Sequence, residues 1–292
     1  MEVVKEKSDI KKLVDNQIYG DIELKNAQIE WKGTGNVLYC VGKIQLENCK
    51  IRFTGNHSLI YFDENLYPFS IDIRVGNDSV FYLGKDCYLN KTSHIYATER
   101  KNVLIGNQCL LSFDCYFRTA DPHLIYDTKT KKRLNFSKSI LVGDHVWIGQ
   151  NALLLKNTVI GSGAIVGGNS VVSGKKLSSN TAYAGNPIKK IRSDVFYGEH
   201  KSTHDYDLEQ ERDSEILDID NYCYEKDEHT VNLEQIDKQL QQLHTVPEKI
   251  EYIQKELTNY QYKNRFFIGK HSYCVFLISH DKFLIQIYLF LI

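Results

Sequence analysis

In the stretch "TADPHLIYDTKTKKRLN", His123 stands between Asp121 and Asp127. With a reference pKa of about 6.5, histidine is the side chain suited to taking a hydroxyl proton at neutral pH. A neighbouring carboxylate fixes its tautomer by accepting from the far ring nitrogen. Asp121 and Asp127 are both candidates for that duty, although loop carboxylates mostly form turns or face water. A loop histidine with no duty is the plain alternative. The cations that follow, Lys129, Lys131, Lys132 and Arg133, could attract an acidic acceptor, with a solvated charge run as the ordinary alternative.

What must position these residues is a rhythm. In "SILVGDHVWIGQNALLLKNTVIGSGAIVGGNSVVSG", aliphatic residues return at every sixth position: Val142, Ile148, Leu154, Ile160, Val166 and Val172. An amphipathic helix repeats near 3.6 and a half-buried strand near 2, so neither explains the pattern. One hexapeptide forming a short strand plus a turn does. Three then close a triangular coil, and coils stack at a strand spacing of about 4.8 Å around an aliphatic column. Gly143, Gly149, Gly161 and Gly167 follow inward aliphatics, where glycine supplies backbone freedom. Val146, Ala152, Thr158, Ala164 and Ser170 are small enough to sit beside the column.

The same beat occurs at Leu83, Leu89 and Ile95, and at Ile105, Leu111, Phe117 and His123. Coils farther upstream look longer, with Gly35, Gly55 and Gly76 marking them. The expected organisation is an N-terminal segment 1–20, a prism over 21–192, and a region 193–292 of different composition. Between 120 and 138 the beat is lost, which marks a protruding loop of the kind that usually carries function. With Val142 and Ile148 pointing inward, Trp147 is expected to face outward, where a large indole calls for a partner.

Beyond Arg192 the chain turns charged and tyrosine-rich. Helical spacing follows at Ile236, Leu240 and Leu243, and a Thr245–Glu248 capping box precedes Ile250, Ile253 and Leu257. This helical appendage is expected to cover the open end of the prism or to pack on a neighbouring subunit. After Lys282 the last apolar run is about ten residues, short of the roughly 20 a spanning helix needs. Weak peripheral membrane attachment stays open.

The chain has 292 residues, 42% of them apolar, and a formal charge of -1, so it offers no global basic field for nucleic acid. The first residues contain no signal-peptide run, which points to the cytoplasm. Seven cysteines without CxxC spacing read as small hydrophobes in a reducing compartment.

"VGDHVWIGQNALLLKNTVIGSGAIVGGNSVV" followed by "YAGNPIKKIR" resembles the hexapeptide-repeat acyltransferases, and most closely those that O-acetylate sugars and capsular polysaccharides. The strongest likeness covers Ile105 to Arg192. It implies a left-handed parallel β-helix, a homotrimer, and acetyl-CoA held between adjacent prisms, with no metal. It makes His123 the general base, in a D-x-H setting begun by Asp121, with Asp121 or Asp127 left as the orienting carboxylate. Trp147, in its "VWIG" setting, becomes a member of the active site. Gly149, Gly167, Gly168 and Ser170 would admit the pantetheine arm, and Asn186 and Pro187 would turn the chain toward it. Lys189, Lys190 and Arg192 would meet CoA phosphates. Asp127, Lys132 and Arg133 are the candidate acceptor contacts. Cys115 reads as core filling, so transfer would be direct. Another sugar or small-molecule acceptor, attacked through oxygen or nitrogen, remains an alternative, as does a non-catalytic scaffold. A carbonic anhydrase built on the same prism would need three converging histidines, and His57, His94, His123 and His145 show no coherent spacing for that.

Overall fold

The computed structural model describes residues 1–198, 203, 215–258 and 261–269. Within the hexads, Val142 lies beside Ile160, Ile148 beside Val166 and Leu154 beside Val172, all in parallel pairs eighteen residues apart. The strands stack into three sheets of eight, eight and six strands that form the faces of a prism. The architecture is a parallel β-solenoid of about 7 turns that matches a left-handed β-helix. Val146, Ala152, Thr158, Ala164 and Ser170 are fully buried beside the aliphatic column.

Gly143, Gly149, Gly161 and Gly167 act through space rather than through unusual dihedrals. A Cβ on Gly149 would lie 2.5 Å from the Gly168 nitrogen, and one on Gly143 2.7 Å from the Ser162 nitrogen. Coils could not stack with any larger residue there. Left-handed corners fall instead to polar residues such as Asn151, Asn157, Asn169 and Asn180, which tolerate that region better than most.

Upstream coils are longer, pairing Ile73 with Ile95 and Leu83 with Ile105, twenty-two residues apart. Tyr88–Leu89 opens the third face, so the preceding coils use two strands each and a turn. Aromatic rings fill this part of the core, with Trp31 and Phe53 stacked at 4.0 Å. Strands precede the expected onset at Asp21. Gln17–Lys25 already lies in the second face, and Glu2–Val4 runs antiparallel to Gln28–Trp31 on the first. A 3-10 helix over Lys7–Lys12 joins them, bringing Ile10 and Leu13 against the core.

The described part of the appendage lies along a flank of the prism. Helix α1 spans Leu233–Leu240 and helix α2 spans Val246–Glu256, the latter opened by the Thr245–Glu248 capping box. Their residues Leu233, Ile236, Leu240 and Ile253 join Phe266 against the outer side of the second face, on Tyr61, Tyr82, Leu104 and Leu141. That sheet is therefore buried on both sides, which explains unbroken apolar strands such as Leu59–Phe62 and Val80–Leu83. Polar anchors fix the dock. The Asp237 carboxylate, its pKa raised by burial, accepts from Asn102 Nδ2 at 2.8 Å and Ser139 Oγ at 2.9 Å. Buried Lys249 donates to the carbonyls of His57 and Asp78. The apolar tail and Cys274 lie outside the described residues. No described helix is long and apolar enough to cross a membrane.

Candidate active site

The loop 120–138 leaves the prism after Tyr116–Arg118 on the first face and returns at Ile140–Val142 on the second. A bridge between Tyr126 and Arg133 folds it back on itself, and Asn135 ties it together. Its Nδ2 donates to the His123 carbonyl at 2.7 Å and to Asp121 Oδ2 at 2.9 Å, while its Oδ1 accepts from the Ile125 amide at 2.8 Å. Lys156 Nζ also donates to Asp121 Oδ2, at 2.5 Å. The Lys156 bond, and then that from Asn135, holds the Asp121 carboxyl below its usual range.

His123 is held through its backbone, and its imidazole is exposed. It does not continue the aliphatic column, because the loop has already left the prism. The two flanking carboxylates do not serve it as orienting groups: among the described residues neither bonds to its ring. Asp121 is committed to Lys156 and Asn135. Asp127 Oδ1 accepts from the amides of Thr130 at 2.6 Å and Lys129 at 3.0 Å, closing a turn. Arg133 is likewise engaged, through Nη2 to Glu99 at 2.8 Å. Lys132 is exposed. Asn135 and Lys156, the braces, carried no signal in the sequence, since both depend on how the loop closes.

Trp147 stands on the third face, pointing outward and 38% exposed. Its Nε1 donates to Ser112 Oγ at 3.2 Å, and its ring lies 5.9 Å from that of Tyr197. The appendage grips the turn just before it. His145, fully buried, is sandwiched between Tyr197 at 4.0 Å and Tyr222 at 3.6 Å, both parallel to its ring. Tyr197 Oη donates to the Gln108 carbonyl at 2.9 Å. Arg265 forms a two-pronged pair with Asp144, Nε to Oδ2 at 2.7 Å and Nη2 to Oδ1 at 2.8 Å.

Several candidate cofactor contacts share one corner. Gly149 and Gly167 follow consecutive third-face strands and stack on each other, with Ala184 next in line on the following coil, so that corner carries only small residues. Gly168 and the cis-linked Asn186–Pro187 pair are exposed beside it. Lys189, Lys190 and Arg192 are exposed on Lys189–Ser193, which runs antiparallel along the edge of the same sheet. Ser170 does not belong with them. It is fully buried, and its Oγ accepts from the Gly185 amide at 2.9 Å, supporting the turn from within.

Buried Cys115 donates its Sγ to the carbonyls of Ser112 and Gly149, and burial pushes its thiol up to about 12. That suits core filling, since thiolate rather than thiol is the nucleophile. His94 stacks on Tyr116 at 4.2 Å on the first face, far in sequence and setting from His57, His123 and His145. Nor does one prism bring His123 and Trp147 together. His123 leaves at the corner between the first and second faces, whereas Trp147 stands on the third.

The fold is a left-handed β-helix, and the family model described as bacterial transferase hexapeptide (six repeats) matches residues 139–174. More particularly, the chain is similar to polysialic acid O-acetyltransferases. It is 42% identical over 100 residues to that of Escherichia coli O1:K1 / APEC, across 34% of this chain and 32% of the relative. To that of Neisseria meningitidis it is 27% identical over 135 residues, across 44% of this chain and 59% of the relative. The chain thus aligns with under two thirds of either relative. Among solved structures, that of the polySia-specific acetyltransferase NeuO is similar with a TM-score of 0.59 and 25% identity, covering 68% of this chain and 92% of that one.

Proposed function

We propose that this chain is an acyl-CoA-dependent O-acetyltransferase acting on hydroxyls of an acidic capsular or surface polysaccharide. The observation that carries it is a loop braced by Asn135, Asp121 and Lys156 that presents an exposed imidazole. The named activity of the similar proteins supports the acceptor class.

In this mechanism His123 takes the proton of the attacking hydroxyl as its oxygen bonds to the acyl carbon, then returns that proton to the departing thiolate when the carbon–sulfur bond breaks. Acetyl-CoA supplies the activated acyl group. Gly168, exposed beside that corner, leaves backbone open to a narrow pantetheine arm. Lys189, Lys190 and Arg192 on the adjoining edge meet its phosphates. Trp147 walls the seam, steadied by Ser112 and Tyr197. Because one prism holds His123 and Trp147 apart, a working site takes His123 from one copy and Trp147 from its neighbour, in keeping with a cytoplasmic homotrimer. Asp121 acts on His123 through Asn135, as a positioning residue.

Incubation with acetyl-CoA and polysialic acid should release free thiol in proportion to acetyl ester formed. Acetyl-CoA alone should raise the melting temperature by mass action. The absence of both thiol release and stabilisation would overturn the proposal. Asn135→Ala should lower turnover by about 10-fold to 100-fold by loosening His123, with the KM for acetyl-CoA near wild type. Undiminished turnover in that variant would show that the brace has no part in catalysis.

A further inference from the structure

We propose that the open groove beside the His123 loop binds acidic sugar residues of the acceptor polymer that flank the one being acetylated. The proposal rests on the acetyltransferase function proposed above.

The groove follows the corner between the first and second faces on the coils preceding the loop. Asn56, Asn77, Arg100 and Lys101 line it from successive corners, and Arg133 and Phe136 close it from the loop. Coils rise by about 4.8 Å, a step comparable to one sugar residue, so polar groups recur along it at a polymer's spacing. Asn56 Oδ1 accepts from the Thr34 amide at 2.9 Å, and Asn77 Oδ1 from the Asn56 amide at 2.8 Å. Both Nδ2 groups therefore remain available as donors. Phe136 is 61% exposed, with the Arg133 guanidinium carbon 5.0 Å from the ring centroid, and offers an apolar platform for a sugar face.

Charge favours an anion. The two acidic groups here are already engaged: Glu99 by Arg133 and Ser137, and Asp78 by Arg100 at 3.3 Å with buried Lys249 at 4.0 Å. Three cations, Arg100, Lys101 and Arg133, thus line the groove against two carboxylates, and the Arg100 side chain is 77% exposed. The groove is also joined to the candidate base. Asn135 accepts from Arg133 Nε at 3.4 Å while donating to the His123 carbonyl at 2.7 Å. A polymer lying against Arg133 therefore arrives beside His123.

The test is direct binding of long polysialic acid, of the sialic acid dimer and of neutral dextran by titration calorimetry without acetyl-CoA, followed by acetyl-transfer kinetics on polymer and dimer. Wild type should bind the polymer and not dextran. Arg100→Ser and Phe136→Ala, both at exposed positions, should each reduce the polymer-over-dimer preference about tenfold, with wild-type melting temperatures. An unchanged preference, or a wild type that binds no polymer, would overturn the groove. If wild type binds the polymer through these residues yet transfers no acetyl group, the proposed activity fails and the groove stands.

Discussion

His123→Ala is expected to reduce acetyl transfer by about 100-fold to 10,000-fold while leaving the fold and assembly unchanged. The imidazole is exposed, and the contact holding the residue in place is through its carbonyl, so truncating the side chain removes chemistry without removing structure. Single-turnover acetylation of polysialic acid, beside sedimentation of the same sample, separates the two effects. Turnover within a few-fold of wild type would dismiss His123 as the base.

Arg265→Ala is expected to lower unfolding free energy by about 3–5 kcal/mol, because one partner of a buried ion pair is left charged and alone. Asp144 is positioned by more than this pair: its Oδ1 also accepts from the Asn107 amide at 2.7 Å. Deleting the guanidinium therefore strands a carboxylate that the coil corner still needs. Equilibrium urea denaturation measures the change. A loss under about 1 kcal/mol, the range of a solvated pair, would mean that the appendage does not seal this corner. Arg265→Ala should also disturb Trp147 fluorescence, since Asp144 and His145 directly precede the strand that carries the indole.

The repeating prism was legible because each inward position on a coil tolerates little but an aliphatic residue, so Val142 through Val172 announce themselves at period six. Trp147 followed by parity, and the capping box at Thr245 by local chemistry. The docking of the helices was not legible. Ile236, Leu240 and Ile253 declare a face in need of cover but not its counterpart, although the unbroken "LIYF" and "VFYL" strands carried that message in their lack of alternation. Nor could spacing show that Asp121 and Asp127 turn away from His123. Both satisfy the rule that a carboxylate lies close in sequence, yet Lys156 and the Thr130 turn claim them. Ser170 misled for a related reason: a small residue fits a ligand slot and a buried hydrogen bond equally well.

Because the partners of Tyr61, Tyr82 and Leu104 arrive more than a hundred residues later, a nascent chain must carry a bare aromatic and aliphatic strip until Leu233 to Phe266 leave the ribosome. The prism can wind up coil by coil as it is made, but this strip stays adhesive throughout the interval. Translation pauses or premature stops before residue 233 should accordingly yield chaperone-bound or aggregated fragments rather than smaller soluble prisms.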